Sequence, residues 1–225
     1  MVHTIIITMT RRKKVSNSVS SDHTGNQGHV HRDDVGSRMG MWLFLFNELL
    51  LFGGLFVVYL TYRIEYYDAF VMGAKELDIA MGTFNTIVLL TSSLTMVLAI
   101  VALQKKKKWL SVGFLVSTIG LALVFMVVKF FEWSAKIHHG IFPGSEILAE
   151  KSDGEIVFYG LYYTTTGLHG LHVVIGIVIL LFILVFIIRD KITHNDFVKL
   201  ENSGLYWHLV DLIWIFLFPL FYLLH

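Results

Sequence analysis

Five long apolar stretches, at roughly 39–62, 80–103, 109–133, 157–188 and 203–224, constrain this chain more than anything else in it. Each is at least as long as the ~20 residues a helix needs to cross the ~30 Å hydrocarbon core of a bilayer. Inside lipid every backbone N–H and C=O must be paired within the protein, so only helices and closed barrels span. Barrel strands would be about ten residues long and alternate in polarity. These runs are continuous, and the whole chain has only two prolines to break them. The reading is all-α: a polytopic membrane protein built as a bundle of five transmembrane helices. A composition of 55% hydrophobic and 16% charged residues excludes an ordinary soluble domain. With no cysteine, disulfides, thiolate metal sites and thiol nucleophiles are excluded as well.

Residues 1–38 are a different material, with Arg11-Arg12-Lys13-Lys14 followed by Ser, Asn, Gly, Asp and His. They read as a basic, disordered cytoplasmic tail, and 39–225 as the membrane domain. The apolar Ile5-Ile6-Ile7 precedes the basic cluster, the reverse of a secretory signal, so no cleaved leader is expected. His3, His23, His29 and His31 lack the fixed spacing of a metal site. Lys105-Lys106-Lys107-Lys108 is nearly all that separates runs two and three, which forces an antiparallel hairpin. Run four is longer than a span requires and is expected to tilt or to extend beyond the membrane.

Lysines and arginines divide unequally between the two sides. The tail, the Lys105–Lys108 linker, Arg189, Lys191 and Lys199 fall on one side, against Arg63, Lys75, Lys136 and Lys151 on the other. The positive-inside rule then puts the N-terminus inside and the C-terminus outside, as an odd number of spans requires. Trp42, Trp109, Trp133 and Trp207 lie near run ends, where an interfacial belt is expected.

Polar residues within the spans are the functional candidates, because an Asp at the centre of an inserted helix costs roughly 2.5–3.5 kcal/mol. Run one carries Asn47-Glu48. Nothing else in that run can neutralise Glu48, so it is expected either as a protonated, proton-exchanging carboxyl or as a buried acid hydrogen-bonded to a neighbouring helix. Asn85 and Ser92 in run two are seven apart and form a stripe of packing contacts. Lys129 and Glu132, three apart in run three, are expected to pair or to snorkel; with Trp133 and Trp207 they are candidates for lipid or interfacial contact. In run four, Gly160, Gly167 and Gly170 share one face and His169, His172 and Gly176 the opposite one. In the last run, Glu201, His208 and Asp211 share a stripe, with His208 and Asp211 close enough to pair with each other. Glu48, His169, His172, Glu201, His208 and Asp211 thus define a candidate polar cluster within the membrane.

Three functional classes fit these residues. A haem-binding electron carrier would use His169, His172 and His208; a proton or ion transporter would centre on Glu48 and Asp211. The Glu-x-x-His pairs of di-iron bundles are absent, as are phosphate loops, nucleophile elbows and zincin motifs. No inverted repeat or pair of broken helices is visible. The third class is a non-catalytic subunit of a larger membrane complex.

The third class is favoured by a resemblance. Gly40-Met41-Trp42-Leu43-Phe44 through Glu48, Asn85-Thr86 through Ser92-Ser93 and Thr95, Glu132-Trp133, Thr166-Gly167-Leu168-His169-Gly170-Leu171-His172-Val173 with Gly176, and Tyr206-Trp207-His208 with Val210-Asp211 and Trp214, preceded by Glu201, resemble subunit III of the haem-copper terminal oxidases. The motifs occur in family order across 40–224. The resemblance implies a subunit without its own cofactor, haem and copper belonging to partner subunits. It implies direct packing on subunit I, association with subunit II, a role in sustaining proton uptake, phospholipid held between helix groups, and no nucleic-acid partner. Cytochrome c and quinol both remain open as electron donor. Glu48 stands where the family has a buried, carbodiimide-reactive carboxyl, and His208 and Asp211 match the last-helix motif. Asn47 replaces a usual Ser, and Lys129 a common Gln. Five helices resemble the shorter bacterial forms, which implies a bacterial inner-membrane location.

Overall fold

In a computed structural model the described residues are 34–193 and 196–223. The element order is α1 (Asp34–Glu65), α2 (Tyr67–Lys75), α3 (Ile79–Gln104), α4 (Lys108–His138), α5 (Glu146–Ala149), α6 (Asp153–Ile188), α7 (Val198–Phe218) and a π-helical turn at Pro219–Leu223. Five of these helices, α1, α3, α4, α6 and α7, are long and apolar enough to cross a membrane, as the five runs require. The first helix begins at Asp34, so residues 34–38 extend it rather than belonging to a separate tail. The basic cluster and the histidines of that tail lie outside the described residues.

Helix ends follow local chemistry. Asp78 caps α3 by accepting from the backbone N–H of Ala80 and Met81, at 2.9 and 3.1 Å. Ser152 and Glu155 form a reciprocal capping box on α6. At the other ends, Lys106, Gly140 and Asp190 adopt positive φ and close α3, α4 and α6 by paired bonds back into the last turn. Lys106 and Asp190 hold this conformation without the freedom of glycine, because both turns sit in short connections that must reverse the chain.

The bundle is organised around α7, whose span is the most buried at 50%, whereas α1 is the most peripheral at 22%. α7 packs on α3, α6 and α1, while α3 and α4 form the tight hairpin that the four-lysine linker dictates. Two buried tryptophans on α7 reach hydroxyls on α3: Trp207 donates to Ser92 Oγ and Trp214 to Thr86 Oγ1, both at 3.1 Å. The polar stripe of α3 thus holds α7, although Asn85, also fully buried, has no hydrogen-bond partner. Trp207 is therefore a core residue and not an interfacial one. Gly176 of α6 lies directly against it, since an added Cβ would come within 2.8 Å of the indole.

On the other glycine face of α6 only Gly167 is packed, 3.1 Å from Trp133 by the same measure. Gly160 and Gly170 open onto free space. We expect Gly176→Leu to overpack the α6–α7 contact and destabilise the fold by about 1–3 kcal/mol. Thermal unfolding of the detergent-solubilised chain reads this directly, and an unchanged midpoint would show that Trp207 does not sit against α6.

Candidate functional site

Glu48 on α1 and His172 on α6 meet in the bundle interior, with Glu48 Oε2 2.9 Å from His172 Nε2 and both residues buried. The other ring nitrogen, Nδ1, lies 2.8 Å from the Leu168 carbonyl oxygen. A carbonyl can only accept, so Nδ1 carries a hydrogen. One further proton then lies between Nε2 and Oε2: on oxygen the pair is a neutral imidazole and carboxylic acid, on nitrogen an imidazolium and carboxylate. The pair has zero net charge either way, which is how a carboxyl is kept inside hydrocarbon. The Phe52 ring stands edge-on to the imidazole at 5.4 Å, and Tyr206 donates its hydroxyl proton to the His172 carbonyl at 3.0 Å. Partner choice between helices depends on how they are rotated and slid against one another, so the 124 residues separating the pair carry no signal of it.

A second buried cluster joins α4, α6 and the π turn. Lys129 donates to Glu132 at 3.0 Å and to the Tyr222 hydroxyl at 2.7 Å, with the Trp214 ring 4.8 Å from its ammonium. Tyr162 donates to Glu132 Oε1 at 2.7 Å, and Tyr222 donates to the same oxygen. Lys129 and Glu132 pair, as their spacing predicts, but in the interior instead of at the headgroups. Pro219 makes this possible: lacking an N–H, it ends the regular ladder of α7, and the wider π turn beyond it carries Tyr222 inward. Tyr162 and Tyr222 are the cluster members the sequence reading missed; for Tyr222, a proline closing an apolar run was the local signal.

The remaining candidates do not converge on one centre. Glu201 pairs with Arg38 at 2.9 Å near one end of the bundle, on a groove of about 310 Å³ that His208 and Trp42 also line. His208 Nδ1 meets Ser93 Oγ at 2.6 Å, so its partner is on α3 and not the nearby Asp211. Both Asp211 oxygens are buried without a hydrogen-bond partner, with Ser93 the polar side chain beside them. His169 is buried with neither ring nitrogen bonded, packed by Phe125 and Trp214 at centroid distances of 5.7 and 5.2 Å. Trp133 and Lys129 line an apolar groove of about 460 Å³ between α4 and α6. Among the described residues no three metal-ligating side chains come together.

Outside the spanning helices, Glu76 accepts from Lys151 at 3.0 Å and from the Tyr159 hydroxyl. Burial opposes the charged carboxyl, but these two hydrogen bonds and the neighbouring lysine charges outweigh it and hold Glu76 below the ordinary carboxylate range. Lys151 is likewise penalised by burial, yet Glu76 and Glu155 raise it above the ordinary lysine range.

A bundle of five spanning helices with a neutral carboxyl–imidazole pair in its interior defines a polytopic integral membrane protein. The chain belongs to the cytochrome c oxidase subunit III family, whose model matches residues 1–225. It is 28% identical over 233 residues to the cytochrome c oxidase subunit 3 of Synechocystis sp., covering 99% of this chain and 91% of that one. It is 29% identical over 203 residues to a probable quinol oxidase subunit 3 of Staphylococcus saprophyticus, covering 90% and 93%. A heme-copper oxidase subunit I+III of Aeropyrum pernix matches 94% of this chain at 27% identity over 217 residues, and this chain spans 25% of that longer protein.

Two outcomes are expected of these clusters. Lys129→Met leaves the Glu132 carboxylate without its cation and should destabilise the chain by about 3–5 kcal/mol, with Glu132→Gln in the same chain recovering much of the loss. A double-mutant cycle on thermal unfolding measures the coupling, and additive effects would show that the pair is not formed. Because Glu76 titrates lower in the folded than in the unfolded chain, its contribution is present above the unfolded value and disappears as pH falls through the folded one. The stability gap between wild type and Glu76→Gln should therefore be open at neutral pH and close on acidification; a gap independent of pH would contradict the assignment.

Proposed function

We propose that this chain is the non-catalytic subunit III of a proton-pumping haem-copper terminal oxidase in a bacterial inner membrane, with the N-terminus inside and the C-terminus outside. The complex passes electrons from cytochrome c or quinol to oxygen and makes water; this subunit stabilises subunit I and supports proton delivery to it. The carrying observation is the buried Glu48–His172 pair, within a chain that matches the family from end to end. A pair of zero net charge holding one transferable proton is a group suited to proton exchange. Direct contact with subunit I is supported by the single-chain I+III relative, and subunit II is expected in the same assembly.

Placing haem and copper in the partner subunits is supported by how the imidazoles here are used. His172 has both ring nitrogens engaged, His208 is held by Ser93, and His169 is packed by aromatic rings on two sides. The groove between α4 and α6, lined by Phe130, Trp133, Gly170 and Val174, has the shape and polarity to take a phospholipid acyl chain. That is the role proposed for it.

Purification through a tag on this chain in mild detergent should bring down a haem-bearing subunit, while the isolated polypeptide should show no haem absorbance. Stoichiometric haem in the isolated polypeptide would overturn the assignment. Glu48→Gln keeps the shape of the side chain and its hydrogen bond to His172, so the complex should still assemble but take up protons more slowly during turnover. An assembly defect would instead give Glu48 a structural role.

A further inference from the structure

Among the described residues, three carboxyls are buried within the spanning helices: Glu48, Glu132 and Asp211. The first two have partners, whereas Asp211 on α7 has both oxygens enclosed without a hydrogen bond. It therefore ties no helices together, and α7 is already held to α3 by the Trp207–Ser92 and Trp214–Thr86 bonds. A leucine would fill this position without the cost of enclosing a carboxyl, so packing does not account for it. Inside hydrocarbon, a carboxyl that lacks a cation and donors is kept neutral by its own proton. That proton has to come from water, and the structure shows a way for it to arrive.

At the end of the bundle where α1 begins, Arg38, Trp42, Glu201, Asn202 and His208 line the groove of about 310 Å³. It is large enough for several waters, and its walls carry polar groups to hold them. Arg38 and Glu201 pair there with side chains 55% and 29% exposed, and Asn202 Oδ1 is buried without a donor. From Glu201 to His208 the helix rises about 10 Å, so the groove carries aqueous surroundings two turns into α7. His208 Nε2 has no hydrogen-bond partner among the described residues, while Nδ1 meets Ser93 Oγ at 2.6 Å. Ser93 is in turn the polar side chain beside the Asp211 carboxyl. A hydroxyl offers one hydrogen and two lone pairs, so by turning about its C–O bond Ser93 serves His208 and Asp211 alternately.

We propose that Asp211 is a proton-exchanging carboxyl, loaded from water in the Arg38–Glu201 groove through His208 and Ser93. On loading, His208 accepts a proton on Nε2, Nδ1 gives its hydrogen to Ser93 Oγ, and the Ser93 hydroxyl hydrogen passes to the Asp211 carboxylate. One proton leaves water and one neutralises the carboxylate; the imidazole changes tautomer and the hydroxyl changes rotamer. Unloading runs the same steps backwards. The mouth lies at the end that the proposed orientation places inside, the side of proton uptake. The site is distinct from the Glu48–His172 pair, since it is built on α3 and α7 and has its own opening.

The inference does not depend on the role proposed for Glu48. The intact detergent-solubilised complex is diluted rapidly into D2O, and the infrared C=O band of protonated Asp211, identified as the band lost in Asp211→Asn, is followed as exchange shifts it. His208→Phe should slow the shift at least about ten-fold, and Ser93→Ala, which removes the hydroxyl and leaves the groove, should slow it in the same sense. Glu48→Gln should leave the rate unchanged. A structural role alone for His208 would lower the unfolding midpoint without touching the exchange rate. Wild-type exchange in folded His208→Phe or Ser93→Ala would overturn the route, and so would slowing by Glu48→Gln. No band lost in Asp211→Asn, or a wild-type band that never exchanges, would overturn the proposal for Asp211 itself. Should His208→Phe fail to accumulate, Ser93→Ala decides the matter.

Discussion

Charge inside hydrocarbon has to be cancelled on the spot, and the arrangement of this bundle follows from how that is done. No bulk solvent is available to screen an ion, so each buried carboxyl needs a proton, a cation or a set of donors on a neighbouring helix. Glu48 takes His172 from α6; Glu132 takes Lys129 from its own helix and two tyrosines from elsewhere. Each solution fixes helices to one another: α1 to α6 in the first, α4 to α6 and the end of α7 in the second. Apolar packing alone cannot fix them so well, because lipid tails are as apolar as leucine and offer little penalty against a rotated helix.

The same logic explains why α7 is central. Its tryptophans carry one donor each and a large apolar surface, so they are stable in the interior only where an acceptor faces them. α3 supplies Ser92 and Thr86 at that register, and Gly176 of α6 makes room for Trp207 from the other side. A tryptophan near a run end reads as interfacial by default, and at position 207 the default fails because hydroxyls on another helix override it. The helix whose stripe of Glu201, His208 and Asp211 made it a functional candidate is the scaffold on which the rest is hung.

Much was legible in the sequence for reasons that are local. Span number and length follow from hydropathy, and the α3–α4 hairpin from its four lysines. The Lys129–Glu132 pair was legible because three residues on one helix are neighbours wherever the helix goes. Partners on different helices were not, since a rotation of half a turn exchanges them all. Hence a single cluster of Glu48, His169, His172, Glu201, His208 and Asp211 dissolves into an ion pair near one end, a hydroxyl-bound imidazole, a neutral pair in the core, and two groups, His169 and Asp211, that remain without hydrogen bonds.

Lys129 shows how one substitution can change the character of a site without moving its backbone. A glutamine at this position would still donate to Glu132, but its amide could not neutralise an ionised carboxylate. A lysine permits Glu132 to stay ionised in the interior, and the tyrosine hydroxyls then complete a cluster of zero net charge in which both carboxylate oxygens are bonded. Tyr222 pays for this arrangement with an irregular helix end: only the π turn beyond Pro219 brings its hydroxyl to the ammonium. The sidedness of the bundle then follows, because charged and phenolic groups fill the seam between α4 and α6 from Glu76 to Tyr162.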